Sequence, residues 1–276
     1  MNFLKILDVK VNTESESEIL TAIADYLEKS KPRIIATPNT EIIVSAQSNE
    51  QLKDILNKKS SINLPDGVGL LWAANFQKIN LPDSRFWAYF KLILLWFWSI
   101  ITIPFLSAVS GKGSFSRISG SDFVIDLANL AKSKKYRLFL LGGGITVAER
   151  AALKLQTDIP DLRVVGVCSK NPDDSEEIVG LIKKSRADIL LVAYGSPKQE
   201  IWLSKYLGRT GCKIGIGVGG TFDFLADVQP RAPKWVRSSG LEWFFRLINE
   251  PRRIFRQMAI PRFMWLNLVN KAKSIK

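Results

Sequence analysis

The chain has 276 residues, enough for one large domain or for a domain with an appendage, and 46% of them are hydrophobic, enough for a sizeable buried core. It contains no histidine, which excludes Ser-His-Asp and Cys-His catalysis, the common zinc sites and any imidazole base. The formal net charge is +13, and the stretch from Arg231 onward, with eleven Lys/Arg against Glu242 and Glu250, carries +9 of it. A surface of that kind suits nucleic acid, an anionic membrane or a phosphorylated substrate, and charge alone does not choose among them.

Residues 1–10 hold only short apolar runs and an acidic, helix-like stretch follows, so no signal peptide is expected and the soluble parts are expected on the cytoplasmic side. A strand is expected at 6–11 and a helix at 14–29. Further strands are expected at 33–37, 61–64, 136–141, 162–167, 188–194 and 213–218. Helical stretches at 121–134, 146–157, 175–185 and 198–207 lie between most of them. Ile189-Leu190-Leu191-Val192-Ala193 is a continuous apolar run, the mark of a strand buried on both faces. The expectation is an α/β fold: a Rossmann-like, mainly parallel sheet with helices on both faces. Residues 1–228 would form that domain, interrupted by a hydrophobic insert at 84–112, and residues 229–276 a basic, helical, membrane-associated appendage. Cys168 and Cys212 fall in apolar, strand-like runs and are read as buried free thiols.

The insert is apolar or aromatic over 86–109 except for Lys91, Ser99, Thr102, Pro104 and Ser107. One helix of that length would be about 36 Å long, enough to cross a bilayer. A single crossing, however, would divide one sheet between two sides of a membrane. A re-entrant hairpin or an in-plane helix pair dipping into one leaflet is therefore favoured, with a buried helix or an oligomer interface as the alternative.

Five motifs carry candidate chemistry. Thr37-Pro38-Asn39 follows a strand, where a hydroxyl and an amide can enter the ligand crevice or where Asn39 can cap a helix. Leu64-Pro65-Asp66-Gly67 also follows a strand, and Asp66 reads equally as a general base or as a helix cap. Leu141-Gly142-Gly143-Gly144 has the form of a phosphate-cradling turn, with Gly142 and Gly143 at its centre, or of a plain strand-to-helix turn. In Gly195-Ser196-Pro197-Lys198-Gln199-Glu200 the side chains of Lys198, Gln199 and Glu200 would face the crevice mouth, with Glu200 alternatively a first-turn dipole partner. Arg246, Arg253 and Arg256, at spacings of seven and three, would share one helix face and clamp a diphosphate if the stretch is continuous; a solvated or lipid-facing stripe is the other reading.

In number and order these runs, with Arg117-Ile118-Ser119-Gly120-Ser121-Asp122, Gly217-Val218-Gly219-Gly220 and Arg231-Ala232-Pro233, resemble the WecG/TagA/CpsF family of bacterial glycosyltransferases over nearly the whole chain. The resemblance implies an inverting, metal-independent transfer of an N-acetylmannosamine-type sugar from UDP to an undecaprenyl-diphosphate-linked amino sugar, in cell-surface polysaccharide or teichoic acid synthesis. It implies Asp66 as the general base, Thr37, Asn39, Arg117 and Gln199 as positioning or catalytic residues, and Arg246, Arg253 and Arg256 as the tail arginines over the diphosphate. Gly142, Gly143, Ser196, Lys198 and Glu200 complete the expected donor site. No cofactor and no metal are expected, and no D-x-D run is present. The expected partners are a UDP-sugar, a polyprenyl-diphosphate acceptor and an anionic membrane surface at the cytoplasmic face of the cell membrane; a homo-oligomer is left open. Asp227 and Cys168-Ser169-Lys170 depart from the family pattern beside the sugar pocket, and the insert separates Asp66 from Arg117 more widely than is usual. The competing class is a basic α/β protein that binds nucleic acid.

Overall fold

The computed structural model describes residues 1–101, 118–239 and 241–275. Six of the apolar runs form β3 (Arg33–Ala36), β4 (Ser60–Asn63), β5 (Arg137–Gly142), β6 (Arg163–Cys168), β7 (Ile189–Ala193) and β8 (Ile214–Gly217), all parallel in the order β4-β3-β8-β7-β5-β6. Successive side chains of a strand point to opposite faces. On one face Ile35, Leu138, Leu140, Leu191 and Ile216 pack under α1 (Glu16–Leu27), together with two helices introduced below. On the other, Ile34, Phe139, Leu141, Leu190 and Val192 form a second core. Burial on both sides is why the central strands read as unbroken apolar runs, and the Rossmann-like α/β expectation holds.

The helices follow from local signals. Ser15 starts α1 with a capping box, accepting from the Glu18 N–H while Glu18 reaches back to the Ser15 backbone. Between β3 and β4 lie the short α2 (Thr40–Ser45) and α3 (Glu50–Asp54), and after β4 come α4 (Val68–Gln77) and α5 (Arg85–Ile101). The remaining helices of the sheet domain are α6 (Gly120–Lys134), α7 (Val147–Asp158), α8 (Ser175–Ser185), α9 (Lys198–Thr210) and α10 (Thr221–Leu225). Helices α6 and α7 complete the first core, and α8 and α9 the second. The tail forms α11 (Lys234–Ser238), α12 (Glu242–Asn249), α13 (Ile254–Gln257) and α14 (Ala259–Ala272). Cys168 and Cys212 are buried free thiols, as expected, and burial pushes the Cys212 thiol up to about 11.

The strand expected at 6–11 is corrected. The chain instead forms an antiparallel hairpin, β1 (Phe3–Ile6) and β2 (Val9–Asn12), outside the parallel sheet. Its two-residue turn is Leu7-Asp8, and both residues have positive φ (48° and 62°), as a type I′ hairpin turn requires. The hairpin covers the open edge at β4. Asn12 Oδ1 accepts the Asn63 N–H at 2.8 Å, and Asn63 Nδ2 donates to the Lys10 and Leu56 carbonyls at 2.8 and 2.7 Å. An edge covered this way cannot template pairing with another chain.

A third core joins this hairpin, α2, α3, α4, α5 and α14. Trp72 stacks on Phe76 at 5.1 Å and meets Phe263 of α14 at 6.2 Å. The last helix of the basic tail thus shares a core with α4. Of the insert, residues 85–101 form the single helix α5, and the rest, 102–109, lies outside the described residues. Among the described residues no helix is long and apolar enough to cross a membrane.

The Asn63 network has a measurable consequence. Asn63→Ala leaves the buried Leu56 carbonyl and the part-buried Lys10 carbonyl without their donor and should lower stability by about 2 kcal/mol, read as an earlier urea midpoint with an unchanged slope.

Candidate active site

All six parallel strands end at one edge, so the turns that follow them meet there. The chain leaves β5 toward β6 and leaves the adjacent β7 in the opposite direction, toward β8. Such a reversal opens a crevice beyond the strand ends. A cavity of about 200 Å³ lies there, lined by Gly142, Gly143, Gly144, Lys170, Tyr194 and Lys198 among others. The three glycines all have positive φ (93°, 82° and 83°), which only glycine adopts without strain. The Gly143 N–H is already used by the Ala193 carbonyl at 3.1 Å, which leaves its neighbours and the start of α7, whose Thr146 makes no side-chain cap, as the backbone donors an anion could use. Lys198 is exposed at the rim, and Tyr194, its pKa raised by burial, donates to the Lys170 carbonyl at 2.9 Å.

At the other end of the edge, Thr37 and Asp66 stand after β3 and β4. The loops are bound together: the Asp66 N–H donates to the Pro38 carbonyl and the Ile118 N–H to the Pro65 carbonyl, both at 3.0 Å. Thr37 is buried, and its Oγ1 donates to the Gly217 carbonyl of β8 at 3.0 Å. A Cβ on Gly120, the first residue of α6, would lie 3.8 Å from Asp66 Oδ2 and 3.9 Å from Thr37 Cβ. Asp66, Thr37 and the start of α6 therefore meet at one point. The cap position of α4 is Gly67 (φ 94°), and Asp66 stands one residue before it. The carboxylate is thus not the N-cap. Asn39 does cap: its Oδ1 accepts the Ile42 N–H of α2 at 3.0 Å, which leaves its Nδ2 as the group it can offer a ligand. Arg117 lies outside the described residues.

The expectation that Lys198, Gln199 and Glu200 all face the crevice mouth is corrected for two of them. Gln199 and Glu200 are each 1% exposed. Gln199 Oε1 accepts the Gly219 N–H and Nε2 donates to Glu200 Oε1, both at 3.0 Å. Its amide lies so close to Gly217 that a Cβ there would be 2.6 Å from Nε2. Gln199 therefore fixes the turn after β8 from below. Burial pushes the Glu200 carboxyl above its ordinary range, against the Gln199 hydrogen bond. The neighbouring Ser196 hydroxyl is buried beside the Glu200 carboxyl and, like Gln199, offsets part of the effect of burial.

The single helix face for the tail arginines is also corrected. Pro251 ends the helical run, with Glu250 at φ −133° and ψ 81°, so Arg246 is on α12, Arg253 in a following 3₁₀ turn and Arg256 on α13. They converge nonetheless. Arg246 lies over the Phe224 ring at 4.6 Å and pairs with Glu242. Arg253 pairs with Glu250 at 3.2 Å; burial, then Arg246 and Arg256, holds its pKa below the usual guanidinium range. Arg256 makes two bonds to Glu41 of α2, at 2.9 and 3.0 Å. The tail thus lies across the ends of β8 and β3.

Several residues that matter here were not among the expected site residues. Gly120 provides the close approach to Asp66. Asp122 holds the tail down, accepting from Arg231 and from Arg237 at 3.0 and 3.2 Å. Burial acts to raise the Asp122 carboxyl, but Arg231 and Arg237 outweigh it and hold it below the ordinary range. Glu41 orients Arg256, and Lys170 and Tyr194 complete the glycine cavity. The Ser119-Gly120-Ser121-Asp122 run signalled two of them and the Cys168-Ser169-Lys170 departure a third; Glu41 and Tyr194 are an unremarkable charge and aromatic until the fold brings them in.

A parallel sheet with a carboxylate and a glycine cradle along its ligand-binding edge, roofed by arginines, defines a Rossmann-like α/β enzyme suited to phosphorylated substrates. The chain belongs to the Glycosyl transferase WecG/TagA/CpsF family, which matches residues 4–97 and 100–276. It is 28% identical over 266 residues to an N-acetylglucosaminyldiphosphoundecaprenol N-acetyl-beta-D-mannosaminyltransferase of Bacillus spizizenii, covering 96% of this chain and 90% of that protein. A protein of the same name from Bacillus subtilis is 28% identical over 262 residues, covering 93% and 89%. The chain is thus a hexosyltransferase-type glycosyltransferase.

Glu200 yields a pH prediction. A carboxyl raised in the folded state contributes stability that is fully present below its unfolded pKa, near 4.5, and is lost as pH rises toward the folded value. Glu200→Gln keeps the shape without the ionisation. Its melting temperature should match the parent's near pH 4 and exceed it at pH 8, as scanning calorimetry at both pH values would record.

Proposed function

We propose that the chain transfers an N-acetylmannosamine-type sugar from UDP to an undecaprenyl-diphosphate-linked amino sugar, in the synthesis of a cell-surface polysaccharide or teichoic acid. The observation that carries the reading is the meeting of Asp66, Thr37 and Gly120 at the carboxyl edge of the sheet, one residue before the cap of α4. The names of the two Bacillus relatives supply the sugar and the acceptor.

The step is a single displacement. The acceptor's hydroxyl oxygen attacks the anomeric carbon and forms the new glycosidic bond. Its proton passes to Asp66. The bond from the anomeric carbon to the diphosphate oxygen breaks, its electron pair leaves with UDP from the opposite face, and the centre inverts. Thr37 and Asn39 border the reacting sugar, and Gln199 holds the Gly217–Gly220 turn beneath it. Arg117 takes its positioning role from the family resemblance alone.

The leaving diphosphate needs positive charge. Gly142, Gly143, Ser196 and Lys198 line or adjoin the cavity that suits the donor, while the buried Glu200 accepts from Gln199 and supports it rather than the ligand. Arg246, Arg253 and Arg256 close over the site from the appendage at 229–276. The transfer is proposed to be metal-independent, with the charge of the leaving diphosphate taken up by these arginines and by backbone N–H groups. The acceptor's lipid and the basic tail favour work at an anionic membrane surface, on the cytoplasmic face.

The test is UDP release with a panel of UDP-sugars and a short-chain polyprenyl-diphosphate acceptor, with and without EDTA. Release that needs both substrates and is unaffected by EDTA is the expected result. Asp66→Asn should lower kcat by about 10²–10⁴-fold while UDP affinity, measured by calorimetry, stays nearly unchanged. Full turnover in that variant would refute the base assignment.

A further inference from the structure

Helix α5 is covered along one stripe only. Ala88 and Leu92 are buried against the third core, and Trp96 and Ser99 continue the same side. At about 100° per residue, the exposed apolar positions occupy an arc of about 180°. Phe86, Trp87, Phe90, Leu94, Phe97 and Trp98 lie on it, from 55% to 71% exposed. The polar atoms of the arc are the Tyr89 hydroxyl and the indole N–H groups of Trp87 and Trp98, and Lys91 stands at its margin.

Water does not suit half a cylinder of aromatic and aliphatic side chains. A second copy of the chain would cover a strip of it, whereas a fluid hydrocarbon phase covers the whole arc. The charges agree. Helix α5 contains Arg85 and Lys91 and no acidic residue, and α14, against which it packs, exposes Arg262 and Trp265 and has no acidic residue either. Tryptophans beside cations are the pattern of a helix at a lipid headgroup boundary.

The helix is also fixed to the enzyme along its length. Trp72 Nε1 of α4 donates to Ser99 Oγ at 2.9 Å, and Trp96 Nε1 donates to the Met264 carbonyl of α14 at 3.1 Å. At 17 residues it is about 25 Å long, and it lies along the body of the protein instead of projecting from it. From these observations we propose that α5 is an in-plane membrane helix: its exposed arc enters the acyl region of one leaflet of an anionic bilayer, with Arg85, Lys91 and Arg262 at the headgroups. Since α4 begins just after Asp66, that insertion also sets the height of the site above the membrane. The inference deepens the membrane reading given above, and it needs neither donor nor acceptor, so its failure is distinguishable from failure of the sugar-transfer assay.

The experiment is flotation of the full chain with vesicles of phosphatidylglycerol and phosphatidylethanolamine. The triple variant Phe90→Ser/Leu94→Ser/Phe97→Ser changes only exposed positions. It should partition at least about tenfold less, with UDP release on a short-chain acceptor retained. A fluorophore on Leu94→Cys, the native cysteines being buried, should be quenched by acyl-chain labels and shielded from iodide. Equal flotation of parent and variant overturns the proposal. So does quenching by iodide alone. A lipid-free dimer that the triple variant dissolves while flotation is unchanged would assign the arc to a second copy instead.

Discussion

The rim of a parallel sheet is a place where backbone groups lose their ladder partners, and here they find them in the next strand's turn. The Leu64 N–H donates to the Ala36 carbonyl at 2.8 Å, Thr37 Oγ1 to the Gly217 carbonyl at 3.0 Å, the Val218 N–H to the Val192 carbonyl at 2.9 Å and the Gly143 N–H to the Ala193 carbonyl at 3.1 Å. These four bonds run in sequence across β4, β3, β8, β7 and β5. They tie the turn that bears Asp66 to the turn that bears the glycines. With strands about 4.8 Å apart, four steps separate the two ends by about 19 Å. A site built on such a rim has a fixed length, which suits an extended donor held at one end and reacting near the other. Gln199 belongs to the same construction, since its amide supplies the acceptor that the Gly219 N–H lacks.

How much of this was legible depended on whether the signal was local. The buried strands announce themselves because doubly covered strands must be apolar throughout. The hairpin at the N-terminus did not, because Leu7-Asp8 is an unusual pair for a turn in which both residues take positive φ. Among site residues, Asp66 and Thr37 were visible through their position after strands. The burial of Gln199 and Glu200 was not, since nothing local distinguishes a first-turn Gln-Glu pair that faces solvent from one whose glutamine packs beneath a glycine of the next strand. The tail arginines were recognisable as a group, but their arrangement turned on Pro251. Seven-and-three spacing on one helix and three separate turns folded toward one point present the same residues by different geometry.

The tail's charge is less free than its composition suggests. Arg231 and Arg237 are held by Asp122, Arg246 by Glu242, Arg253 by Glu250 and Arg256 by Glu41. Several of these pairs are half-exposed, and such pairs contribute little to stability. That makes them exchangeable. A diphosphate offers more charge and a better match to the guanidinium fork than a single carboxylate does. Of the three arginines in the proposed clamp, Arg256 has the exposed pair and could leave Glu41 for a ligand at small cost, whereas Arg246 and Arg253 are mostly buried with their carboxylates and need a ligand that replaces them fully; Asp122, doubly bonded at the start of α6, would keep the tail in place during such an exchange. The anchor at Asp122 differs from these pairs: one carboxylate shared by two guanidiniums resists loss of either.

Helix α4 connects these features. Val68, Leu70, Leu71, Trp72, Ala73, Ala74 and Phe76 are all buried, so almost its whole circumference is packed and it cannot turn or slide without disturbing a core. Its first residue follows Asp66-Gly67, and its middle holds α5 through Trp72 and Ser99. Trp72 is about 6 Å along the helix axis from Val68, the first helical residue after Asp66-Gly67. A carboxylate on a mobile loop would need its height adjusted at each encounter with a lipid-borne hydroxyl. Joined to α5 by one rigid helix, it has no such freedom, and the packing of Trp72, Phe76 and Phe263 becomes part of what positions Asp66, the proposed base.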